Sequence, residues 1–155
     1  MENNLVKELT IKSSAFDHES FIPAKYTCEG ENVNPPLEIS GIPDEAKTLV
    51  LMVEDPDAPR GVFDHWIVWN IQPGTSIAEN SIPGVQGENS FGILGYRGPC
   101  PPLGTHRYFF KVYALNTKLD LPAGTKKIQL LEAMKDHILT RSEFMGQYQK
   151  HLPGN

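Results

Sequence analysis

Residues 48–53 read Thr-Leu-Val-Leu-Met-Val, residues 65–71 read His-Trp-Ile-Val-Trp-Asn-Ile, and residues 108–113 read Tyr-Phe-Phe-Lys-Val-Tyr. All three stretches are rich in β-branched and aromatic residues and are bounded by Gly, Pro or Asp, as strands usually are. Two of them are almost continuously apolar, which predicts strands buried on both faces. Leu9 and Ile11 alternate with polar residues and predict an opening strand. The first two thirds of the chain are therefore predicted to be β structure.

The last third of the chain changes its hydrophobic period. Between Lys127 and Leu139, apolar residues recur at helical spacing, namely Ile128, Leu131, Met134 and Ile138. Thr125 precedes them as a candidate N-cap. The sequence Thr140-Arg141-Ser142-Glu143 has the capping-box pattern, which predicts a second short helix. Residues 151–155 are expected to fray.

Length, charge and cysteine count limit the class of protein. A chain of 155 residues fits a single domain, here 1–155, that buries its own core. A net charge of −5 argues against a nucleic-acid-binding face, which needs clustered Lys and Arg. No apolar run approaches the ~20 residues of a membrane span, and the polar N-terminus does not resemble a secretion signal. Cys28 and Cys100 are therefore expected to be reduced thiols in a cytoplasmic protein.

Four polar side chains are predicted to lie at the ends of the strands. Because side chains on a strand alternate between two faces, Asp55 continues one apolar face of residues 48–53. His106 and Tyr108 continue an apolar face of the strand at 108–113. His65 is expected to share the face of the odd-numbered apolar residues of the strand at 65–71. If these strand ends meet, they form a polar mouth above an apolar floor.

Such a mouth has the chemistry to bind an anion. Two imidazoles can each donate an N–H and can become cationic near neutral pH. A tyrosine hydroxyl adds a neutral donor. Asp55 can fix the tautomer of a neighbouring histidine or raise its proton affinity. The sequence therefore predicts that Asp55, His65, His106 and Tyr108 line one small anion pocket.

Proline-rich loops flank these residues. A tight, rigid turn is predicted for Asp55-Pro56-Asp57-Ala58-Pro59. Its Ala58–Pro59 bond is a candidate cis peptide. Gly98-Pro99-Cys100-Pro101-Pro102 is stiffer still. The long segment Gln72–Gly104 carries aromatic anchors such as Phe91, which flexible linkers lack. It is therefore a candidate wall of the pocket.

The ordered series of these motifs closely resembles the phosphatidylethanolamine-binding protein (PEBP) family, in its bacterial and archaeal Raf kinase inhibitor-like branch. The resemblance covers nearly the whole chain. The motifs that carry it are Tyr26–Gly30, Asn34–Leu37, Asp55–Pro59, His65-Trp66, Gly95–Pro102, Gly104–Tyr108 and Ala133–Leu139. One departure is Ile39, where this branch often has Trp, and it lies outside the pocket motifs.

The resemblance implies a mainly β fold, a PEBP-like β-sandwich with peripheral C-terminal helices and an anion pocket at one end. In this family the pocket binds phosphate, phosphoethanolamine head groups or similar small anions. The ligand-binding positions that match in this chain are Asp55, Pro59, His65, Gly98, Pro99, His106 and Tyr108. Arg107 falls on the opposite face from His106 and is expected to pair with an acidic loop residue. Relatives in this branch are often dimeric, so a monomer and a homodimer both stay open.

The leading interpretation is a non-enzymatic binding module with no cofactor and no metal. One alternative is a hydrolase with Cys100 as nucleophile, although Pro101 offers no N–H for an oxyanion hole. A second is a zinc site of Asp55, His65 and His106, which lacks any helical i, i+4 ligand pair. A third is a protein inhibitor of a protease or kinase that acts through surface contacts. The natural ligand is not specified by the sequence.

Overall fold

The computed structural model describes residues 8–150, and each predicted core strand is present in it. Eight strands, one 3₁₀ turn and one α-helix occur in this range. They are β1 Thr10–Lys12, the turn Ala24–Tyr26, β2 Leu37–Ser40, β3 Thr48–Asp55, β4 Phe63–Ile71, β5 Ser76–Ile77, β6 Val85–Gln86, β7 Thr105–Leu115, α1 Lys127–Met134 and β8 Ile138–Gln149. Residues 1–7 and 151–155, including the end expected to fray, lie outside the described range. The assignment of one domain to the whole chain stays a prediction.

The strands form two sheets that pack face to face. The smaller sheet has the order β1-β2-β5 and the larger one β6-β4-β3-β7-β8, and all of these pairings are antiparallel. All eight residues of β3 are buried, as its continuous apolar run predicts. Alternate residues of the larger sheet, such as Leu51, Val53 and Phe110, pack against the smaller sheet around Ile11 and Ile39. The mainly β sandwich expected from the sequence is confirmed.

The outer face of the larger sheet is covered by α1 and the loop before it. Leu130 and Met134 of the helix pack on Met52, Ile67 and Trp69 of the sheet. Next to this apolar cluster, the buried carboxylate of Glu54 forms salt bridges with Lys111 at 2.9 Å and with Lys127 at 2.8 Å. Burial opposes the ionisation of Glu54, but the hydrogen bonds from Lys127 and Lys111 outweigh it and lower its pKa. This ion cluster holds the first residue of α1 against β3.

The second predicted helix, at residues 140–143, is wrong. These residues belong to β8, which pairs along β7 from Thr105↔Gln149 to Leu115↔Ile138. Phe144, Gly146 and Tyr148 are buried at alternate positions, which is the period of a strand. The capping-box pattern is a short local preference, and the long edge of β7 outcompetes it because pairing satisfies a whole row of backbone hydrogen bonds.

The first predicted helix forms but is shorter than expected. It ends at Met134 rather than Leu139, and Asp136 adopts a positive φ of 69° just beyond it. The N-cap is Lys126 and not Thr125, whose hydroxyl instead donates to the carbonyl of Pro122. Leu130 and Met134 form the buried face, whereas Ile128 and Leu131 are exposed. The face of α1 that is buried therefore depends on how the helix packs on the sheet, and not only on the spacing of its apolar residues.

The expectation of two reduced thiols is also wrong. Cys28 and Cys100, separated by 72 positions in the chain, form a disulfide with a Cα–Cα distance of 5.5 Å. The backbone N–H of Cys28 donates to the carbonyl of Pro99 at 3.1 Å, so the two segments already lie side by side. This disulfide could not be predicted from the composition or from the lack of a signal sequence, because only the fold brings the two segments together.

None of the helices within residues 8–150 has the length and hydrophobicity that a lipid bilayer crossing requires.

Replacing both Cys28 and Cys100 by Ser is expected to lower the free energy of unfolding by about 4 kcal/mol, because the cross-link closes a long loop and restricts the unfolded chain. Urea denaturation of the variant and of the wild type, each with and without a thiol reductant, measures the difference. The reduced wild type should match the variant. Equal stability of all four samples would contradict the assignment of this disulfide.

Candidate functional site

The side chains of Asp55 and His106 form a buried pair at one end of the sandwich. Asp55 ends β3, His106 is the second residue of β7, and they are only 3% and 7% exposed. His106 Nδ1 lies 2.6 Å from Asp55 Oδ2. The other carboxylate oxygen accepts the N–H of Asp57 at 2.7 Å. Because a carboxylate only accepts, Nδ1 of His106 must carry the proton, and Nε2 is the ring nitrogen left for a ligand.

His65 reaches the same site because of a β-bulge. Val53 pairs with Trp66 and Glu54 pairs with Asp64, so His65 is the extra residue of β4. The expected face of His65 was wrong, since Ile67 and Trp69 pack under α1 on the outer face. Strict alternation would place His65 with them. The bulge turns its side chain inward, where its ring lies 5.3 Å from that of Tyr108.

The His65 ring is buried and held at one nitrogen. Its Nδ1 lies 2.7 Å from the carbonyl oxygen of Arg97, which can only accept, so this nitrogen also carries a proton. Burial lowers the pKa of His65 below its ordinary value of 6.5, despite the opposing effects of the Arg97 carbonyl and the Asp55 charge. At neutral pH the ring is therefore neutral, and its Nε2 is an unprotonated acceptor.

Tyr108 supplies a buried hydroxyl that lacks a partner. The residue is 1% exposed, and its hydroxyl makes no hydrogen bond of ordinary geometry within residues 8–150. Burial raises the pKa of this hydroxyl above its ordinary value of 10.0, the negative charges of Asp55 and Asp57 and a weak interaction with the Asp55 carboxylate add to the shift, and the backbone of Cys100 opposes it. The group is therefore a neutral donor. A buried polar group without a partner costs stability, so such groups concentrate where something else binds.

These side chains line one cavity of about 200 Å³ at the end of the sandwich. Among the predicted residues, Asp55, Pro59, His65, His106 and Tyr108 form its wall. Sequence reasoning did not assign the remaining wall residues to the site: Ala58, Phe63, Phe91, Cys100, Pro101 and Pro102. Some signal existed, because the long loop with Phe91 and the proline run were already candidate walls. Phe63 lies two positions before His65, and their rings are 5.0 Å apart.

Gly98 and Pro99 are not wall residues but lie buried behind the wall. The N–H of Gly98 donates to Asn32 Oδ1 at 2.7 Å. A Cβ at Gly98 would overlap the carbonyl oxygen of Tyr26, so only glycine allows this approach. Together with the Cys28–Cys100 disulfide, this packing fixes the segment that carries Cys100 and Pro101 to the pocket.

The turn after β3 is braced by an ion pair. Arg107 donates to both carboxylate oxygens of Asp57, at 2.9 Å from Nε and 2.8 Å from Nη2. These hydrogen bonds hold the pKa of Asp57 at about 2. The expected pairing of Arg107 with an acidic loop residue is confirmed. The predicted cis bond before Pro59 is wrong, since every peptide bond in the described range is trans.

Two alternative chemistries find little support in this geometry. The sulfur of Cys100 is bonded to Cys28 and is not available as a nucleophile. Within residues 8–150, no three His, Cys, Asp or Glu side chains cluster closely enough to hold a metal ion. What the site offers instead is one unpartnered hydroxyl and two anchored imidazoles.

Comparison with known proteins agrees with this fold. A family model described as phosphatidylethanolamine-binding protein matches residues 12–149. The chain is 47% identical over 150 residues to a UPF0098 protein of Methanothermobacter thermautotrophicus, a match that covers 92% of this chain and 99% of that protein.

Two crystal structures have the same fold. A phosphatidylethanolamine-binding protein homolog from Chlamydia trachomatis is 46% identical with a TM-score of 0.91, covering 94% of this chain and 99% of the other. YbcL of E. coli, described as a member of the mammalian PEBP family, is 28% identical with a TM-score of 0.85, covering 93% and 99%. From the motifs, the sandwich and these matches together, the chain belongs to the phosphatidylethanolamine-binding protein family.

Proposed function

We propose that this protein binds a small oxyanion, of the phosphate or phosphoethanolamine class, in the cavity between the ends of β3, β4 and β7, and that it does so without catalysis. The observation that carries the proposal is the unpartnered buried hydroxyl of Tyr108 beside two imidazoles. An anion that accepts hydrogen bonds from all three side chains would satisfy every one of these groups.

His65 requires a proton on Nε2 before it can donate to such an anion, because burial lowers its pKa. Both Nδ1 atoms already donate to protein oxygens, those of Arg97 and Asp55. A neutral ring then presents a bare Nε2, which accepts but cannot donate. An oxyanion is therefore bound together with a proton on Nε2, taken from solvent or carried by the ligand itself.

The walls of the cavity favour a preorganised binding site. The rings of Phe63 and Phe91 pack edge to face at 4.7 Å, and Pro59, Pro101 and Pro102 restrict the loops between them. Rigid walls reduce the ordering cost of binding. They also exclude water from one side of the anion, which strengthens its hydrogen bonds.

Replacing both His65 and His106 by Gln is expected to abolish the binding of inorganic phosphate. The amide of Gln can still donate to the Arg97 carbonyl and to Asp55, so the fold should persist, but it cannot become cationic. Titration of the wild type with millimolar phosphate, followed by NMR, should shift the ring signals of His65 and His106.

His137→Gln is the matched control. His137 lies between α1 and β8, contacts Asn116 and does not line the cavity. It should bind phosphate as the wild type does. A folded His65→Gln, His106→Gln variant that keeps its phosphate affinity would contradict the proposed site, as would ring signals that stay still during the wild-type titration.

Tyr108→Phe is expected to weaken phosphate binding about tenfold while leaving the free energy of unfolding unchanged or raising it by about 1 kcal/mol. The reason is that the hydroxyl has no partner in the free protein but donates to the ligand. Calorimetric titration and urea denaturation measure the two quantities.

Tyr96→Phe provides the comparison, since the Tyr96 hydroxyl donates to the Tyr26 carbonyl at 2.7 Å. Its loss should lower stability by about 1 kcal/mol. If Tyr108→Phe is the more destabilising of the two, the Tyr108 hydroxyl has a hydrogen-bond partner in the free protein. That result would contradict the proposed role of this hydroxyl as a donor kept for the ligand.

Sulfate affinity is expected to rise as pH falls from about 8 to about 5. Sulfate keeps its charge over this range, so the change reports the protein. Because burial lowers the pKa of His65 in the folded state, the unfolded chain binds that proton more readily. Stability without ligand should therefore decrease as pH falls through 6.5 toward the folded pKa, and sulfate should offset the loss.

Thermal unfolding with and without sulfate across this pH range, together with calorimetry in two buffers of different ionisation enthalpy, measures these effects and the proton uptake. His65→Gln should flatten both pH profiles. Sulfate binding that is independent of pH in the wild type would rule out coupled protonation.

Other expectations stay predictions. They include a homodimer, the inhibition of a protease or kinase through surface contacts, and the absence of nucleic-acid partners. The cytoplasmic location also stays a prediction. Disulfides are typical of oxidising compartments, so the Cys28–Cys100 bond makes cell fractionation an informative test of it.

A further inference from the structure

No lysine or arginine lines the pocket. Asp55 brings a negative charge, and His65 is neutral at neutral pH because burial lowers its pKa. Three arginines occur in the segments around the cavity, Arg60, Arg97 and Arg107. Arg107 is committed to Asp57 by two hydrogen bonds. The lysines on the outer face, Lys111 and Lys127, are committed to Glu54.

Arg97 does not line the cavity itself but contacts two residues that do, His65 and Phe91, and its charge is uncommitted. Its main chain is bound to His65 twice, since its N–H donates to the His65 carbonyl at 3.2 Å and its carbonyl accepts His65 Nδ1 at 2.7 Å. Its side chain is exposed and makes no ion pair within residues 8–150. The guanidinium carbon lies 6.0 Å from the ring centre of Phe91, a wall residue.

Because its backbone is fixed and its side chain is free, Arg97 can move its guanidinium over an anion bound in the cavity. The backbone places Arg97 beside the histidine that contacts the ligand, while the side chain rests on the Phe91 ring by a weak cation–π contact. That contact is weak at an exposed site. A charge-assisted hydrogen bond to an oxyanion is stronger. The guanidinium therefore gains by leaving the ring for a ligand.

We propose that Arg97 is a specificity-determining residue of this pocket, whose guanidinium closes over the bound oxyanion and selects doubly charged phosphate monoesters over singly charged phosphodiesters. The inference rests on the proposed function and names the ligand class of the same site. The planar guanidinium fork matches two oxygens of a terminal phosphate, and a monoester exposes three. A diester exposes only two, with half the charge.

Calorimetric titration at neutral pH with phosphoethanolamine and with glycerophosphoethanolamine tests the proposal. The two ligands share the amine and the phosphorus centre, but the first is a dianionic monoester and the second a monoanionic diester like that of a lipid head group. Arg97→Gln is expected to weaken phosphoethanolamine binding about fivefold to tenfold and the diester by less than about twofold. Arg97→Lys should keep part of the monoester preference, because it retains the charge without the fork.

Two variants serve as controls for the loss of one positive charge. Arg141→Gln removes an exposed arginine of β8, which pairs with Tyr113 far along β7 from His106, and it should leave both affinities unchanged. Arg60→Gln removes the other uncommitted arginine near the pocket and should have the smaller effect. Thermal unfolding of each variant should match the wild type, since all three side chains are exposed.

The possible outcomes distinguish a failure of the role of Arg97 from a failure of the proposed function. Equal losses for both ligands with Arg97→Gln, no loss at all, or a loss found only with Arg60→Gln would overturn the role of Arg97 while leaving the anion site in place. A wild type that binds neither phosphate nor phosphoethanolamine would overturn the proposed function and the inference with it. A diester preference in the wild type would assign the pocket to lipid head groups instead and would also overturn the inference.

Discussion

Strand β3 is hydrogen-bonded to β4 on one side and to β7 on the other, and these two registers assemble the site. The register of β3 with β7, which runs from Thr48↔Leu115 to Glu54↔Phe109, brings the end of one strand to the beginning of the other. Asp55 and His106 can then form their 2.6 Å contact. The register with β4 is interrupted next to Glu54, and the residue left over is His65. A uniform ladder would have turned this imidazole to the outer face, so the irregularity is what completes the pocket.

The remaining wall is held by constraints that act across the chain. The Cys28–Cys100 disulfide and the close approach of Gly98 to Tyr26 join the proline-rich segment to the 3₁₀ turn. The Asp57–Arg107 pair braces the opposite turn. Both loops therefore reach the cavity in a fixed conformation. The histidines are likewise held through Nδ1, which restricts the rotation of both rings.

The anion site proposed for this chain lies in a protein of net charge −5, so the charges around the cavity matter for the proposal. Asp55 is needed to hold His106, yet its charge repels the ligand. Burial keeps His65 neutral, which avoids an isolated buried cation in the free protein. Under the proposed function, the positive charge would be supplied on binding, by a proton on an imidazole and by the guanidinium of Arg97. Among the buried side chains of residues 8–150, the Tyr108 hydroxyl is the one group left without a hydrogen-bond partner.

The sequence by itself determined the strands and most of the chemistry. The apolar runs at residues 48–53, 65–71 and 108–113 can only be stable when buried, and strand alternation places Asp55, His106 and Tyr108 on one face. Only the assembled fold determines the inward turn of His65, the pairing of Cys28 with Cys100, and the strand at residues 138–149 in place of a helix. The physical reason is the same in each case. Local sequence patterns reflect the preferences of neighbouring residues. A bulge, a disulfide or an edge pairing depends instead on residues that are distant in sequence, and these come together only when the sheets assemble.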